Sequence, residues 1–182
     1  LSTTWKAGEL HTYKLTVNKV DCKIEDDMND DLTEKSNVTF YNTGNVTSYM
    51  RSNFVIAWFA GEGDTRAAVA AYENNGVFDG LPGEDWILCE DGFYYYKYPV
   101  KPDKHTNVPL FEKFTAPTPD KIPFPGSHLE MNIILQNVQF DADKEMVGAA
   151  WGGIHTVDGD GKPTTTLIVN ELSVEPETPI TK

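Results

Sequence analysis

Apolar and polar residues alternate most regularly between Tyr49 and Trp58. One face of this stretch is almost entirely apolar and comprises Met50, Ser52, Phe54, Ile56 and Trp58. Because successive side chains of a strand point to opposite faces, the pattern predicts a β-strand with one face on a core. Arg51 falls on the other face, where we expect it to pair with an acid or to cover an aromatic ring in a structural role. Residues 42–45, Asn-Thr-Gly-Asn, tolerate positive φ and predict a chain reversal before the strand.

Similar patterns predict further strands along the chain. They cover residues 10–17, 35–41, 86–89, 93–98, 109–114, 129–140 and 165–174, together with a short apolar row at Val20, Cys22 and Ile24. In residues 35–41 we expect Val38 and Phe40 to point inward. Residues 86–98 predict a hairpin with its turn at residues 90–92. Aromatic residues on both faces of its second strand predict that one face is covered and that neighbouring side chains shield the other.

Three segments depart from strand patterning. Residues 25–31, Glu-Asp-Asp-Met-Asn-Asp-Asp, are too charged for burial and predict a loop. Residues 65–75 contain four alanines, with Asp64 or Thr65 as a cap and Gly76 just past the end, and predict a helix. Residues 142–151 predict a second short helix that leads to Trp151.

Short strands separated by Pro- and Gly-containing turns predict an all-β fold, namely an antiparallel β-sandwich of jelly-roll type with one or two short helices in its loops. No linker divides the chain, so a single domain over residues 1–182, with a polar tail at residues 175–182, is preferred to two small sandwiches. Trp58, Trp86 and Trp151 each lie beside an apolar strand or helix, and we expect all three to be largely buried.

The charge balance excludes some classes of partner. The chain has 15 Lys and Arg against 28 Asp and Glu, a formal net charge of −13. So acidic a surface argues against binding to nucleic acid or to anionic membranes. No apolar run approaches the roughly 20 residues of a membrane span, so no transmembrane segment is predicted. The chain starts at Leu1 without a signal peptide, and we expect it to begin after a cleavage site and to work outside the cell or at its surface.

The sequence contains no recognisable catalytic motif. Its histidines do not form an HExxH pair, although His105 and His128 could still meet in space, and there is no G-x-S-x-G. Cys22 and Cys89 allow either one disulfide or two separate thiols. Pairs of carboxylates are abundant, but in a chain with 28 acids they do not indicate glycosidase chemistry.

The acidic loops contain potential ligands for one cofactor, Ca²⁺. Asp26, Asp27 and Asp30 gather hard oxygen ligands in one segment, and Asp158 and Asp160 begin a D-x-D-G pattern in another. Neither segment continues with the spacing of an EF-hand. The alternative at both places is a solvated acidic loop without a metal.

Several segments, taken in order, resemble the camelysin and TasA-like family of surface proteins exported through SipW-type signal peptides. Residues 42–51, NTGNVTSYMR, resemble the family's N-T-G-N-V-x-x-Y-x-R. Residues 85–111 resemble its W-x-L-x-x-D-G-Y-Y-Y-Y-K segment, and residues 129–151 its closing strand, short helix and terminal Trp. WKAGE at residues 5–9 is similar to W-x-P-G-D, but here about 35 residues separate it from the 42–45 turn, and residues after Trp151 have no counterpart. The beginning of the chain is also similar to fimbrillin-type adhesins.

The resemblance implies a bacterial, non-enzymatic structural or adhesive subunit of a biofilm-matrix fibre or fimbria. Its partners would be other copies or other surface subunits, joined by strand addition. The two candidate donor segments are residues 1–10 and 165–174, the latter having as its alternative the final strand of the same sandwich. Two alternative functions stay open, a camelysin-like surface metalloprotease and a carbohydrate-binding module, which would need two or three exposed coplanar aromatics.

Overall fold

The computed structural model describes residues 18–69 and 75–176. These residues form eleven strands and two short α-helices. The strands are β1 (Cys22–Met28), β2 (Glu34–Asn42), β3 (Ser48–Ala60), β4 (Ala67–Ala68), β5 (Val77–Asp79), β6 (Trp86–Leu88), β7 (Tyr94–Tyr96), β8 (Lys113–Thr115), β9 (Ser127–Gln139), β10 (His155–Val157) and β11 (Pro163–Leu167). The helices are α1 (Glu145–Trp151) and α2 (Ile168–Glu171). The predicted all-β fold is confirmed, and none of the described helices has the length and hydropathy needed to cross a membrane.

The strands form two main antiparallel sheets and a small hairpin. The first sheet has the order β1-β2-β8-β5. In the second sheet β3 pairs with β9 along one edge and with β7 and β4 along the other, and β6 lies beyond β7. Strands β10 and β11 form the hairpin. The predicted hairpin within residues 86–98 is the β6–β7 pair.

The larger core lies between the two main sheets. Strand β2 contributes Val38 and Phe40, both fully buried as predicted, and β3 contributes Met50. The Phe40 ring meets the edge of Trp86 at 5.2 Å between centroids, an arrangement that aromatic pairs favour. The face of β3 that carries Met50 therefore packs on this core, as the alternation of residues 49–58 predicted.

A second core covers the opposite face of the second sheet. Its buried residues are Tyr49, Cys89, Tyr95, Val147, Trp151, Ile168 and Leu172. Helix α1 supplies Trp151, whose ring meets Tyr95 at 5.4 Å between centroids. Tyr96 of β7 lies in the larger core and Tyr95 in the second core, so a core covers each face of this strand, whereas the sequence predicted a core on one face only. The predicted burial of the tryptophans is confirmed, because Trp58, Trp86 and Trp151 are 4%, 3% and 5% exposed.

One loop prediction and one helix prediction are wrong in part. Residues 25–28 belong to β1, which pairs with β2 from Cys22↔Asn42 to Met28↔Lys35. Strand β1 lies at the edge of its sheet, so its charged side chains reach solvent while its backbone pairs. Ala67–Ala68 is a strand instead of part of a helix: Val69 N–H donates to Trp58 O at 2.8 Å, and this pairing with β3 overrides the helix propensity of alanine. Residues 70–74 of the predicted helix lie outside the described residues.

The segment 165–174 is only partly a strand. Strand β11 ends at Leu167, and α2 follows it. Ile168 and Leu172 are four residues apart, lie on one side of the helical turn and are both buried in the second core. The segment therefore belongs to the core of its own molecule and is not a free donor. The predicted strand at residues 10–17 lies outside the described residues, and so does the candidate donor segment at residues 1–10. The predicted helix that ends at Trp151 is confirmed as α1.

Candidate functional site

The first group of predicted calcium ligands is spread along β1 and the turn after it. Asp26 forms an ion pair with Lys35, and Asp27 accepts a hydrogen bond from Asn37 Nδ2 at 3.0 Å. Asp30 lies in the turn that follows. In the described ranges, no three His, Cys, Asp or Glu side chains are grouped so that they could hold a metal ion. Calcium binding here stays a prediction.

The second group lies in the turn between β10 and β11. Asp158 Oδ1 accepts hydrogen bonds from the backbone N–H groups of Asp160, at 3.0 Å, and Lys162, at 2.9 Å. The carboxylate of Asp158 thus closes the turn, while Asp160 is exposed. The structure gives these two aspartates a local role in turn geometry, and calcium binding at this turn also stays a prediction.

Each described histidine has its own glutamate partner. The ring nitrogens lie 3.3, 3.0 and 2.9 Å from carboxylate oxygens in the pairs His105–Glu25, His128–Glu130 and His155–Glu90. His105 forms a bridge with Tyr41 at the end of β2, whereas His128 lies on β9 opposite Phe59. The described part of the chain therefore offers no histidine pair for zinc, and His11 lies outside it.

The two cysteines are separate free thiols. Cys22 packs at the margin of the larger core and Cys89 is buried in the second core. Burial, followed by the nearby Asp21 carboxylate, raises the pKa of the Cys22 thiol to about 11. Burial, followed by Asp91 and Glu90, raises the pKa of Cys89 to about 12. Because the thiolate is the reactive form, neither side chain is prepared for nucleophilic chemistry.

Arg51 has the structural role predicted for it. Its guanidinium forms an ion pair with Asp91 at 2.8 Å and lies 4.2 Å from the centroid of the Phe93 ring. The same group donates to Tyr95 Oη and, through Nε, to Gln136 Oε1 at 2.8 Å. These contacts tie Arg51 to Asp91, Tyr95 and Gln136.

Strand β9 forms one edge of the second sheet, and part of it lies close to β1 of the first sheet. This strand has 13 residues and pairs with β3 without interruption, from Ser48↔Gln139 to Ala60↔Ser127. Among the described residues, β3 is its only strand partner. The sequence predicted the strand but gave no sign of its place at an edge, because strand order depends on contacts between distant parts of the chain.

The register shows which backbone groups face outward. Phe140 N–H donates to Thr47 O at 2.9 Å, so residue 140 bonds toward β3. In an antiparallel ladder the bonded positions alternate, so the even-numbered residues of β9 bond to β3 and the odd-numbered residues face away from it. The outward-facing N–H and C=O groups belong to Leu129, Met131, Ile133, Leu135, Asn137 and Gln139.

Two buried polar groups without partners among the described residues lie near the C-terminal end of β9, one on β3 and one on β9. Ser48 Oγ and Asn137 Nδ2 are buried and have no hydrogen-bond partner among the described residues. They are diagonal neighbours across β3 and β9, because Ser48 pairs with Gln139 and Met50 pairs with Asn137. Asn18 Nδ2 donates to Gln139 Oε1 at 3.2 Å, so Asn18 lies beside this end of β9.

Comparison of the chain with protein-family models, with curated proteins and with solved structures finds no match. The resemblance to the camelysin and TasA-like family therefore stays a prediction from the sequence.

Proposed function

We propose that the protein is a non-enzymatic structural or adhesive subunit of an extracellular or cell-surface assembly, and that copies join by strand addition at the outer edge of β9. The observation that carries this proposal is the length of that edge. A 13-residue strand with one ladder partner among the described residues offers a row of backbone donors and acceptors to an added strand.

The composition of β9 also suits an added strand. Edge strands usually avoid pairing through prolines, charges and short length. Strand β9 contains no proline, and its one carboxylate, Glu130, already binds Arg66 through hydrogen bonds of 2.9 and 2.6 Å. On the outer face of the β3–β9 pair, Val55 and Ile134 are diagonal neighbours and are 51% and 42% exposed, which adds apolar area beside the edge.

We propose that the added strand comes from the segment before Asn18 of a neighbouring copy. Within one molecule, Asn18 Nδ2 donates to Gln139 Oε1, so Asn18 lies beside the end of this edge. The apolar alternation of residues 10–17 matches an extended strand with one face on a partner. The buried Nδ2 of Asn137 lies at the same end of β9, where a polar group of the incoming chain would satisfy it.

A pair of substitutions at one position tests the proposal. Asn137→Pro removes an N–H that faces away from β3 and places a proline ring on the outer edge, while Asn137→Ala keeps the N–H. We expect sedimentation of the full chain to show assembly for wild type and Asn137→Ala, and its loss for Asn137→Pro. Thermal unfolding of both variants as monomers controls for the fold. Equal assembly of the two variants would contradict the proposal.

The two alternative functions have no specific observation in their favour. A zinc protease needs converging ligands, and each described histidine is engaged with a separate glutamate. A carbohydrate-binding platform needs adjacent exposed rings, and Phe124 is the only exposed Phe, Tyr or Trp among the described residues. Chelator-sensitive casein cleavage, or saturable binding to a polysaccharide, would restore one of these alternatives.

A further inference from the structure

A cleft with a basic rim lies on the opposite side of β3 from β9. Its volume is about 320 Å³, within the range of small-molecule sites. Lys101, Lys104 and His105 line it together with Pro99, Val100 and Pro176. We call it the cationic cleft. Because its walls are mainly apolar and its charged groups are basic, it differs from the rest of a chain whose net charge is −13.

The two lysines of the cationic cleft differ from several others in the chain. Lys19, Lys23 and Lys35 each form an ion pair with a nearby carboxylate. By contrast, neither Lys101 nor Lys104 has a carboxylate within ion-pair distance among the described residues.

Two acids near the cationic cleft, Asp103 and Glu25, already have partners. Asp103, which separates the lysines in sequence, accepts a hydrogen bond from Tyr41 Oη at 3.2 Å. Glu25 binds Lys23 as well as His105. The ammonium groups of Lys101 and Lys104 therefore remain available to an anion.

The backbone of this loop is fixed by the sheets. Ser48 and Val100 exchange N–H···O bonds of 3.0 and 2.8 Å. Asn42 is fully buried, donates its N–H to Lys104 O at 2.9 Å and its Nδ2 to Val100 O at 2.8 Å. Asn107 N–H donates to Tyr96 Oη at 3.0 Å. A site held in this way loses little conformational entropy when it binds a ligand.

We infer that the cationic cleft binds a small organic carboxylate with an apolar body. The apolar walls accept the body of such a ligand, and the ammonium groups of Lys101 and Lys104 form charge-assisted hydrogen bonds with its carboxylate. Val100 pairs with Ser48 along the edge of β3 that faces away from β9. Binding is thus independent of assembly at β9.

A ligand series tests both parts of the inference in residue-resolved NMR titrations of the full chain. The probe is 4-phenylbutyrate, and its controls are 4-phenylbutyramide, which lacks the charge, and acetate, which lacks the body. We expect saturable shifts at residues 96–107 with phenylbutyrate and binding at least about tenfold weaker for each control, which corresponds to the loss of one good interaction. No saturable shift in these residues, or equal binding of the amide or of acetate, would overturn the inference.

Two matched double variants test whether Lys101 and Lys104 bind the carboxylate of the ligand. Lys101→Gln with Lys104→Gln removes two positive charges from the cationic cleft, and Lys121→Gln with Lys162→Gln removes two from exposed positions elsewhere. We expect phenylbutyrate binding to weaken about tenfold or more in the first double variant and to stay unchanged in the second. The same affinity in both would overturn the assignment of the lysines, and Asn137→Pro should bind the probe like wild type.

Discussion

The carboxylate of Asp91 accepts a hydrogen bond from the Arg51 guanidinium at 2.8 Å, and this contact ties β3 to the turn of the β6–β7 hairpin. Tyr95 Oη donates to the same carboxylate at 2.8 Å. The side chains of Arg51 and Asp91 are 15% and 25% exposed, and the guanidinium lies 5.0 Å from the centroid of Trp151. One cation therefore joins the second sheet, its hairpin turn and helix α1.

Loss of this cation should destabilise the fold. We expect Arg51→Met to lower the free energy of unfolding by about 2–3 kcal/mol, because it leaves a partly buried carboxylate without its charged donor. Urea unfolding measures the change. Arg66→Met is the control, since the Arg66–Glu130 pair is more exposed, and it should cost about 1 kcal/mol or less. Equal costs for the two variants would contradict the role given to Arg51.

The buried side chain of Ile168 tests whether the C-terminal segment belongs to its own core. Ile168 is fully buried in the second core. Ile168→Ala should lower the free energy of unfolding by about 2–5 kcal/mol, through lost burial and the cavity left behind. Val174→Ala, at an exposed position, should change it by no more than about 0.5 kcal/mol. A neutral Ile168→Ala would mean that the segment is not part of this core in solution.

The thiols should react slowly in the folded protein. The pKa values of about 11 for Cys22 and about 12 for Cys89 leave little thiolate at neutral pH. We expect a disulfide reagent to label wild type slowly in buffer and to label both thiols rapidly in denaturant. Cys22→Ser isolates Cys89, which should be the slower of the two. Rapid labelling of native Cys89, or the absence of two thiols after denaturation, would contradict the structure.

The Arg66–Glu130 pair should make stability depend on pH in one direction. Hydrogen bonds from Arg66, and to a smaller extent from His128, hold the pKa of Glu130 below its ordinary value of 4.5. The folded state therefore gains stability from this carboxylate above pH 4.5 and loses it as the pH falls through the lowered pKa. The stability difference between wild type and Glu130→Gln should be largest near neutral pH and shrink on acidification. A difference that is constant from neutral to acidic pH would refute this contribution.

The alternation of apolar and polar residues correctly predicted the strands that pack one face against the larger core. The alternation of residues 49–58 matched β3, and the apolar row of residues 129–140 matched β9 because each strand rests one face on the larger core. Failures occurred where distant pairing decided the structure. Ala67–Ala68 became a strand through its contact with Phe59 and Ala60, and Ile168 entered a helix because α1 and β7 form a second core around it.

The candidate sites were harder to predict for the same reason. The run Lys-Pro-Asp-Lys-His at residues 101–105 is a local concentration of basic groups that the sequence displays. Its orientation toward a cleft depends on the bonds of Asn42 and Ser48, which come from other strands. The position of β9 at a sheet edge likewise depends on the order of the strands, and local sequence patterns do not predict that order.

Residue-resolved hydrogen exchange along β9 tests strand addition most directly. In the monomer we predict slow exchange at the even-numbered amides, which bond to β3, and fast exchange at the odd-numbered amides from Leu129 to Gln139. On assembly the odd-numbered amides should become as protected as their neighbours. Odd-numbered amides that are already protected in the monomer, or that still exchange rapidly in the assembled protein, would contradict assembly at this edge.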